Sequence, residues 1–254
     1  MNKNFFYLHP EAEKLFQNNG LNSFDAIWRA DVELVDAPNI ARGGWSEVGR
    51  LDLADEFGMG SFYVKRQQNF HCRLISKPWQ RIPLALREWL SITELTAAGI
   101  AALDVVCAAR QHGDCDRMVL VTRALDDYQD MNSWFDQHGS KAERLDTLSA
   151  IGKIAARLHN AGFVHGCLYP KHIYINCKNG EDVRLIDFEK CKRIWTARGG
   201  LRDLDTLLRR FKAFDDEDRK VFLQAYIAEG KSGWTMTSLL DALGRSKHSS
   251  LGRT

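Results

Sequence analysis

Polar side chains of the kinds required for phosphoryl transfer from ATP occur along this 254-residue sequence in a consistent order. Such a transfer needs a backbone loop over the phosphates, a lysine held by a carboxylate, ligands for a divalent cation and a group that positions the acceptor hydroxyl. The stretch 42–49 (RGGWSEVG) could supply the loop, and Lys65, in the predicted strand 61–67 (SFYVKRQ), could supply the lysine. The residues that we expect to bind nucleotide are Gly43, Gly44, Ser46, Lys65 and Glu88.

Each part of this first group also has an ordinary structural interpretation. Gly43 and Gly44 could form a plain turn between two strands. Lys65 must either point to solvent or be paired, because burying a lone ammonium group is costly. Glu94 competes with Glu88 as its partner, although its position indicates the outer face of the predicted helix. The sequence leaves these alternatives open.

The second half of the chain carries the more specific pattern. In the stretch 158–176 (LHNAGFVHGCLYPKHIYIN) a predicted helix ends, and a loop then leads into a short predicted strand. The stretch 185–189 (LIDFE) follows. Together with the glycine loop, the strand lysine and the helix glutamate, these segments resemble the protein-kinase-like fold. The catalytic loop of that fold reads H-R-D-L-x-x-x-N, and its metal motif reads D-F-G.

The finer resemblance is to InaA-type proteins of the lipopolysaccharide kinase family, the Kdo/WaaP group. The shared features are Tyr-Val-Lys-Arg at 63–66, His-Gly-Cys-x-Tyr-x-x-His-Ile-Tyr at 165–174 and Asp-Phe-Glu-Lys at 187–190. This resemblance implies an α+β, two-lobed fold with an antiparallel-sheet N-lobe and a small, mainly helical C-lobe. It also implies ATP-dependent phosphorylation of a sugar of the lipopolysaccharide inner core, of the heptose or Kdo type.

Three positions depart from the usual kinase pattern. Cys167 stands where kinases have the catalytic aspartate, and a thiol is a poor substitute for a carboxylate. His172 stands at the metal-binding asparagine and would, with Asp187, ligate Mg²⁺, or Mn²⁺ as an alternative that suits an imidazole better. Glu189 replaces the glycine of the metal motif and could assist the metal or replace the missing base.

Two further polar residues have supporting roles in the kinase-like interpretation. His165 would brace the backbone of the metal motif. Asp203 would anchor the catalytic loop, or it could be a surface residue favoured by a helix dipole. A zinc site formed by His165, Cys167, His172 and Cys177 is disfavoured, because their spacing matches no common zinc pattern.

The elements that must position these residues change character along the chain. Strand-like segments dominate the first part, followed by a helix from Pro83 to about Ala98 that stops at Gly99. A strong amphipathic helix spans 141–161, the segments 172–176 and 183–188 read as short strands, and the remainder is helical. We therefore expect a nucleotide-binding lobe at 1–125 and a catalytic and acceptor lobe at 126–254.

Charge and length limit the classes of partner that we expect this chain to bind. A formal net charge of +2 is too small to indicate nucleic-acid binding, and the chain after Asp187 is too short to hold a peptide substrate. We expect a lipopolysaccharide-core sugar or another glycolipid as the acceptor. Two basic strips could contact an anionic phosphosugar or an anionic membrane surface, or could simply be solvated: Lys190, Lys192, Arg193, Arg198 and Arg202 with Trp195, and Arg73, Lys77 and Arg81 with Trp79.

The beginning of the sequence lacks a secretory signal, and no stretch is apolar enough to span a bilayer. We therefore expect a cytoplasmic location, with peripheral contact at the inner membrane as an option. Six cysteines without a C-x-x-C pair predict free thiols. Two function classes stay open: an active sugar kinase, and a catalytically impaired pseudokinase that binds nucleotide or glycolipid in an envelope stress response.

Overall fold

The structure of the protein is a computed structural model that describes residues 4–56, 58–73, 79–137, 140–194 and 197–250, of which 197, 198 and 246–250 are described by their backbone alone. The chain forms two compact units. The first contains residues 1–92 and 103–126, and the second contains residues 93–102 and 127–254. The segment 93–102 therefore groups with the second unit, although the predicted lobes divide the chain at a single point.

The first unit is built on an antiparallel sheet. Its elements are β1 (Phe5–Leu8), α1 (Pro10–Asn18), α2 (Phe24–Arg29), β2 (Glu33–Leu34), β3 (Asn39–Ala41), β4 (Gly44–Asp55), β5 (Gly58–Gln68), β6 (His71–Arg73), β7 (Arg81–Pro83), most of α3 (Leu84–Ala97), β8 (Val105–His112) and β9 (Asp116–Arg123). Within the described residues, seven strands form one sheet in the order β1-β8-β9-β5-β4-β2, with β3 also paired to β4. A separate β6–β7 ribbon lies outside that sheet.

Alternation along β5 separates the two faces of the sheet. Phe62 and Val64 belong to the core that also holds Phe16 of α1 and Ile27 of α2. Lys65 lies on the opposite face, because successive side chains of a strand point to opposite sides. On that face the side chains of β9 pack with the first residues of α3 in a second core.

Helix α3 confirms the predicted helix to within a residue at either end, and Gly99 ends it as expected. Gly99 has φ 74°, and the N–H of Ile100 donates to the carbonyl of Leu95 at 3.0 Å. Glycine adopts this left-handed conformation without a Cβ clash, which explains the stop. Pro83 is the last residue of β7 rather than the first of the helix.

The second unit is mainly helical. Its elements are the end of α3, β10 (Tyr128–Asp130), α4 (Met131–Gln137), α5 (Lys141–Asn160), β11 (Phe163–Val164), β12 (Ile173–Asn176), β13 (Val183–Leu185), β14 (Lys192–Arg193), α6 (Leu201–Arg210), α7 (Asp216–Glu229) and α8 (Met236–Ser250). The predicted strand 183–188 is too long, because the chain leaves β13 after Leu185 and turns at Asp187. The six cysteines, all within the described part of the chain, form no disulfide, as expected.

Helices α5 and α7 approach each other closely at a glycine. A Cβ atom on Gly152 of α5 would lie 2.5 Å from the carbonyl oxygen of Phe222 on α7. Helix α5 begins with a capping box formed by Ser140 and Glu143. This helix pair forms the support on which the loop after α5 is built.

Candidate functional site

The predicted glycine loop is a tight hairpin turn between β3 and β4. Arg42 and Gly43 have φ values of 59° and 83°, and they join the paired residues Ala41 and Gly44. Two successive residues with positive φ are typical of a type I′ hairpin. A Cβ on Gly44 would lie 2.0 Å from the carbonyl oxygen of Gln68, so only glycine fits there. An open cavity of about 650 Å³ lies beside the turn.

Ser46 is tied to the start of α3 through a residue that sequence analysis missed. The Nε2 of Gln67 donates to Ser46 Oγ at 3.1 Å, and its Oε1 accepts the N–H of Ala85 at 2.7 Å. Gln67 thereby satisfies one of the free N–H groups at the beginning of α3. The available signal was the two-residue spacing that puts Gln67 on the same strand face as Lys65.

Lys65 forms a close ion pair with Glu88 inside the first unit. The distance between Lys65 Nζ and Glu88 Oε2 is 2.6 Å, and the Glu88 side chain is only 3% exposed. The alternative of a solvent-directed Lys65 is therefore wrong. Glu94 pairs instead with Arg193 at 3.2 Å in an exposed bridge, so it does not compete for Lys65. A buried carboxylate that fixes a lysine is the arrangement in which kinases present that lysine to phosphate oxygens.

Asp203 anchors the loop that follows α5. Its carboxylate accepts the N–H of His165 at 2.6 Å and that of Gly166 at 3.0 Å, and the residue is 2% exposed. The surface alternative for Asp203 is therefore wrong. The Nε2–H of His159 donates to the same carboxylate at 3.3 Å, and the Tyr226 hydroxyl donates to His159 Nδ1 at 2.9 Å. His159 and Tyr226 could not be predicted as part of this site, because only the fold brings α5, α6 and α7 together.

His165 is buried and lies beside the backbone that leads into Asp187. Its Nε2–H donates to the carbonyl of Ile186 at 2.9 Å, one residue before Asp187. Its ring contacts those of His172 and Phe188. Burial lowers the pKa of His165, so the neutral imidazole is favoured at this position.

His172 and Asp187 lie together in the second unit. His172 Nδ1 is 2.8 Å from the carbonyl oxygen of Cys167, which can only accept, so this nitrogen carries the proton. His172 Nε2 lies 3.2 Å from Asp187 Oδ2. Burial lowers the pKa of His172, which favours the neutral ring with a lone pair on Nε2.

This donor set fits a divalent cation in its chemistry. A metal-binding imidazole commonly donates its other N–H to a carbonyl, as His172 does to Cys167. Within the described residues, no group of three or more His, Cys, Asp or Glu could hold a metal ion. Mg²⁺ is commonly held by one or two protein ligands and completed by water and substrate phosphates, so two ligands are compatible with such a site.

Asp187 has an unusual backbone conformation. Its φ and ψ are both 62°, which is the left-handed region. That conformation costs a residue other than glycine about 1–3 kcal/mol, and it is found at functional sites more often than elsewhere. Asp187 precedes the helical turn 188–190, which contains Glu189. The role of Glu189 stays a prediction.

Cys167 has a cationic neighbour. The thiol is 5% exposed, and its hydrogen bond with Lys190 raises the pKa of that lysine. Gly166 is needed here, since a Cβ on it would lie 2.7 Å from the carbonyl oxygen of Lys190. Where a kinase has a carboxylate, this chain therefore has a sulfur and an ammonium group. The sequence alone places Lys190 only in a basic strip.

A family model, described as the lipopolysaccharide kinase (Kdo/WaaP) family, matches residues 25–226 of the chain. The chain belongs to this family. Protein InaA of Escherichia coli (strain K12) is 28% identical over 178 residues, which cover 68% of this chain and 80% of that protein. The predicted family resemblance is confirmed.

A solved structure titled "WaaP in complex with acyl carrier protein" has the same fold. Its TM-score is 0.65 at 19% identity, and the match covers 96% of this chain and 98% of that chain. The likeness confirms the predicted α+β, kinase-like fold with two lobes. No helix among the described residues is long and apolar enough to cross a membrane.

The basic strips of this lipopolysaccharide kinase family member are only partly described. Lys192 and Arg193 are exposed on β14, where Arg193 pairs with Glu94 and lies 4.7 Å from the centre of the Phe163 ring. Trp195 and Lys77 lie outside the described residues, as does the side chain of Arg198. A role of these strips at a membrane surface stays a prediction.

Proposed function

We propose that this chain is an ATP-dependent phosphotransferase whose acceptor is a sugar of the lipopolysaccharide inner core, of the heptose or Kdo type. The observation that carries the proposal is the ion pair between Lys65 and the buried Glu88, which are 23 positions apart in the sequence and join β5 to α3. A lysine held in this way is the part that kinases need to grip a triphosphate. Membership of the family supports the lipopolysaccharide acceptor.

Each residue of the site has a task in this mechanism. Lys65 binds phosphate oxygens of ATP, and Glu88 keeps its ammonium group oriented. His172 and Asp187 would hold a divalent cation, Mg²⁺ or Mn²⁺, which would neutralise charge on the phosphates. Asp203 and His165 fix the loop that carries Cys167.

The acceptor hydroxyl reacts without a carboxylate at position 167. In a loose transition state little proton transfer is needed before the phosphorus–oxygen bond breaks, so positioning and electrostatic stabilisation carry most of the catalysis. Lys190, next to Cys167, adds positive charge at this point of the loop. A glycolipid acceptor would be met at the cytoplasmic surface of the inner membrane.

A second candidate is a pseudokinase that binds nucleotide or glycolipid without transfer. The contact of Cys167 with Lys190 favours it, because no carboxylate occupies the usual position of the base. Transfer of γ-labelled phosphate to extracted lipopolysaccharide, with Mg²⁺ and with Mn²⁺, separates the two. We expect label on the lipopolysaccharide with the natural chain and none with Asp187→Asn. Nucleotide binding without any labelled product would establish the pseudokinase.

A further inference from the structure

A cavity of about 630 Å³ opens between α6, α7 and α8, and the mechanism above does not use it. Its apolar lining includes Phe211, Leu223 and Leu243, which are buried, and Leu240, which is 51% exposed. Ligand pockets typically have volumes of about 300–1,000 Å³ and a mostly apolar lining with a few polar groups. The cavity has both properties.

The charged side chains that line the cavity are strongly biased in sign. Four are basic, Arg209, Arg210, Lys212 and Arg219, and one is acidic, Asp205. Asp205 pairs with Arg209 at 2.9 Å along α6. Within the described part of the chain, the other three cations form no ion pair. Three positive charges are thus available beside an apolar lining.

The helix dipole does not account for this arrangement. Cations are favoured in the last turn of a helix, which explains Arg209 and Arg210 at the end of α6. Lys212 lies beyond that helix, and Arg219 lies in the first half of α7, where the dipole disfavours a cation. Their convergence on one apolar cavity therefore needs another reason.

The cavity is connected to the candidate catalytic loop. The guanidinium carbon of Arg210 lies 5.3 Å from the centre of the Tyr169 ring. That ring lies 5.3 Å from the ring of His172. A ligand that contacts Arg210 in the cavity would therefore be separated from His172 by the side chains of Arg210 and Tyr169.

We propose that this cavity binds the acylated, phosphate-bearing part of a glycolipid, with one acyl chain against the apolar lining and a phosphate against the cations. The identification of this ligand as the lipid part of the acceptor rests on the proposed function. Such an amphiphile requires apolar contacts for its acyl chain and charge-assisted hydrogen bonds for its phosphate. The lining of the cavity offers the first, and the cations at the end of α6 and on α7 offer the second. A small anion would use only the cations, and a neutral lipid only the lining.

The test measures binding of 1-lauroyl lysophosphatidic acid to the full chain by calorimetry, below the concentration at which the lipid forms micelles. The double variant Lys212→Ser/Arg219→Ser removes two cations of the cavity. Lys220→Ser/Lys231→Ser removes two exposed cations of the same unit outside the cavity, so it is matched in charge. We expect the first double variant to weaken binding about tenfold or more, from the loss of charge-assisted hydrogen bonds, and the second to change it less than about twofold.

Two further probes and one variant test whether the ligand must have both an acyl chain and a phosphate. Inorganic phosphate and 1-lauroylglycerol should each bind at least about tenfold more weakly than the lysophospholipid, because each lacks one half of its contacts. Leu240→Gln, at a half-exposed position, should weaken binding of the lysophospholipid and leave binding of inorganic phosphate unchanged. The proposal would be overturned if both double variants lost the same amount of affinity for the lysophospholipid. It would also be overturned if inorganic phosphate bound as tightly as the lysophospholipid. Binding of an acylated acyl carrier protein without any binding of the lysophospholipid would also overturn it.

Failure of this proposal is distinguishable from failure of the proposed function. ATP with Mn²⁺ is titrated into the same preparations, and the shift of the melting temperature is recorded. If the natural chain binds ATP but not the lipid, only the proposal of a lipid site in the cavity is contradicted. A natural chain that binds the lipid but not ATP contradicts the phosphotransferase and leaves the cavity as a lipid site.

Discussion

The imidazole Nε2 of His172 lies 3.2 Å from the carboxylate Oδ2 of Asp187. The carbonyl of Cys167 holds the ring proton on Nδ1, so a lone pair on Nε2 faces a negative oxygen. Such a contact is repulsive unless a cation or a proton lies nearby. Burial opposes the proton, because it lowers the pKa of His172. A divalent cation held by His172 and Asp187 would relieve this repulsion without protonation.

An imidazole ligand should alter the choice of metal. We expect ATP to stabilise the natural chain more with Mn²⁺ than with Mg²⁺, because a nitrogen ligand suits Mn²⁺ better. His172→Asn restores an oxygen ligand and should lower Mn²⁺ affinity about tenfold or more. Melting temperatures with each metal and ATP measure the preference. His112→Asn, in the other unit, is the control, and an unchanged metal preference in His172→Asn would contradict the assignment.

Cys167 should limit the rate of transfer. Cys167→Asp puts a carboxylate next to Lys190, where kinases have one, and we expect kcat to rise about tenfold or more. Cys167→Ser, which keeps the size without the charge, should leave kcat within about threefold of the natural chain. Transfer of labelled phosphate to lipopolysaccharide measures both. Equal rates in all three proteins would show that position 167 does not contact the acceptor.

Acidification should weaken the first unit through Asp116. Burial raises the pKa of this carboxyl, but hydrogen bonds from Arg110 and His71 outweigh that effect and hold the pKa below its usual range. Its contribution to stability is therefore present above the ordinary carboxyl pKa of about 3.9 and is lost as the pH falls through the lower folded pKa. Urea unfolding from pH 6 downward should show a steep loss in the natural chain.

The matched variants for this pH dependence are Asp116→Asn and Asp114→Asn. Asp116→Asn removes the titrating partner of Arg110. The free energy of unfolding of this variant should therefore be lower than that of the natural chain near neutral pH, and the difference should shrink as the pH falls. Asp114 is exposed on the same hairpin, and its variant should stay within about 0.5 kcal/mol of the natural chain at every pH. A deficit of Asp116→Asn that is constant with pH would contradict the assignment.

The close approach of α5 and α7 should make one glycine irreplaceable. Gly152→Ala puts a Cβ 2.5 Å from the carbonyl oxygen of Phe222, and we expect it to destabilise the chain by about 1–3 kcal/mol. Gly244→Ala on α8 meets no atom within 4 Å and should stabilise it by about 0.5–1 kcal/mol. Urea unfolding measures both, and equal effects of the two substitutions would contradict this packing.

Local sequence signals were sufficient for the long elements. Helices α3 and α5 have continuous apolar stripes and clear ends, so their bounds were predicted to within one or two residues. Helices α1 and α2 were missed, because helices this short depend on packing against the sheet more than on their own residues. Asp187 was assigned to a strand, although it leaves the strand in a left-handed conformation that the residue type does not predict.

The candidate site was predictable where the family pattern fixes residue types, and not where distant segments meet. The order of the motifs made Glu88 a candidate partner of Lys65, while Glu94 and a solvent-directed Lys65 stayed open until the fold decided between them. Gln67 and the contact between Lys190 and Cys167 could not, because each depends on a turn or strand register that only the folded chain defines. The sequence also left Asp203 undecided between anchor and surface residue.

The central claim is that this chain binds ATP and that Lys65 and Asp187 are each required for that binding, and calorimetric titration of ATP with Mn²⁺ tests it most directly. We expect the natural chain to bind, and Lys65→Met and Asp187→Asn each to weaken binding about tenfold or more, because each loses a charged contact to the triphosphate. Lys65→Met/Glu88→Met removes both charges of the buried pair and guards against loss by unfolding. Glu94→Gln should bind as the natural chain does. Unchanged affinity in both single variants, or no binding by the natural chain, would contradict the claim.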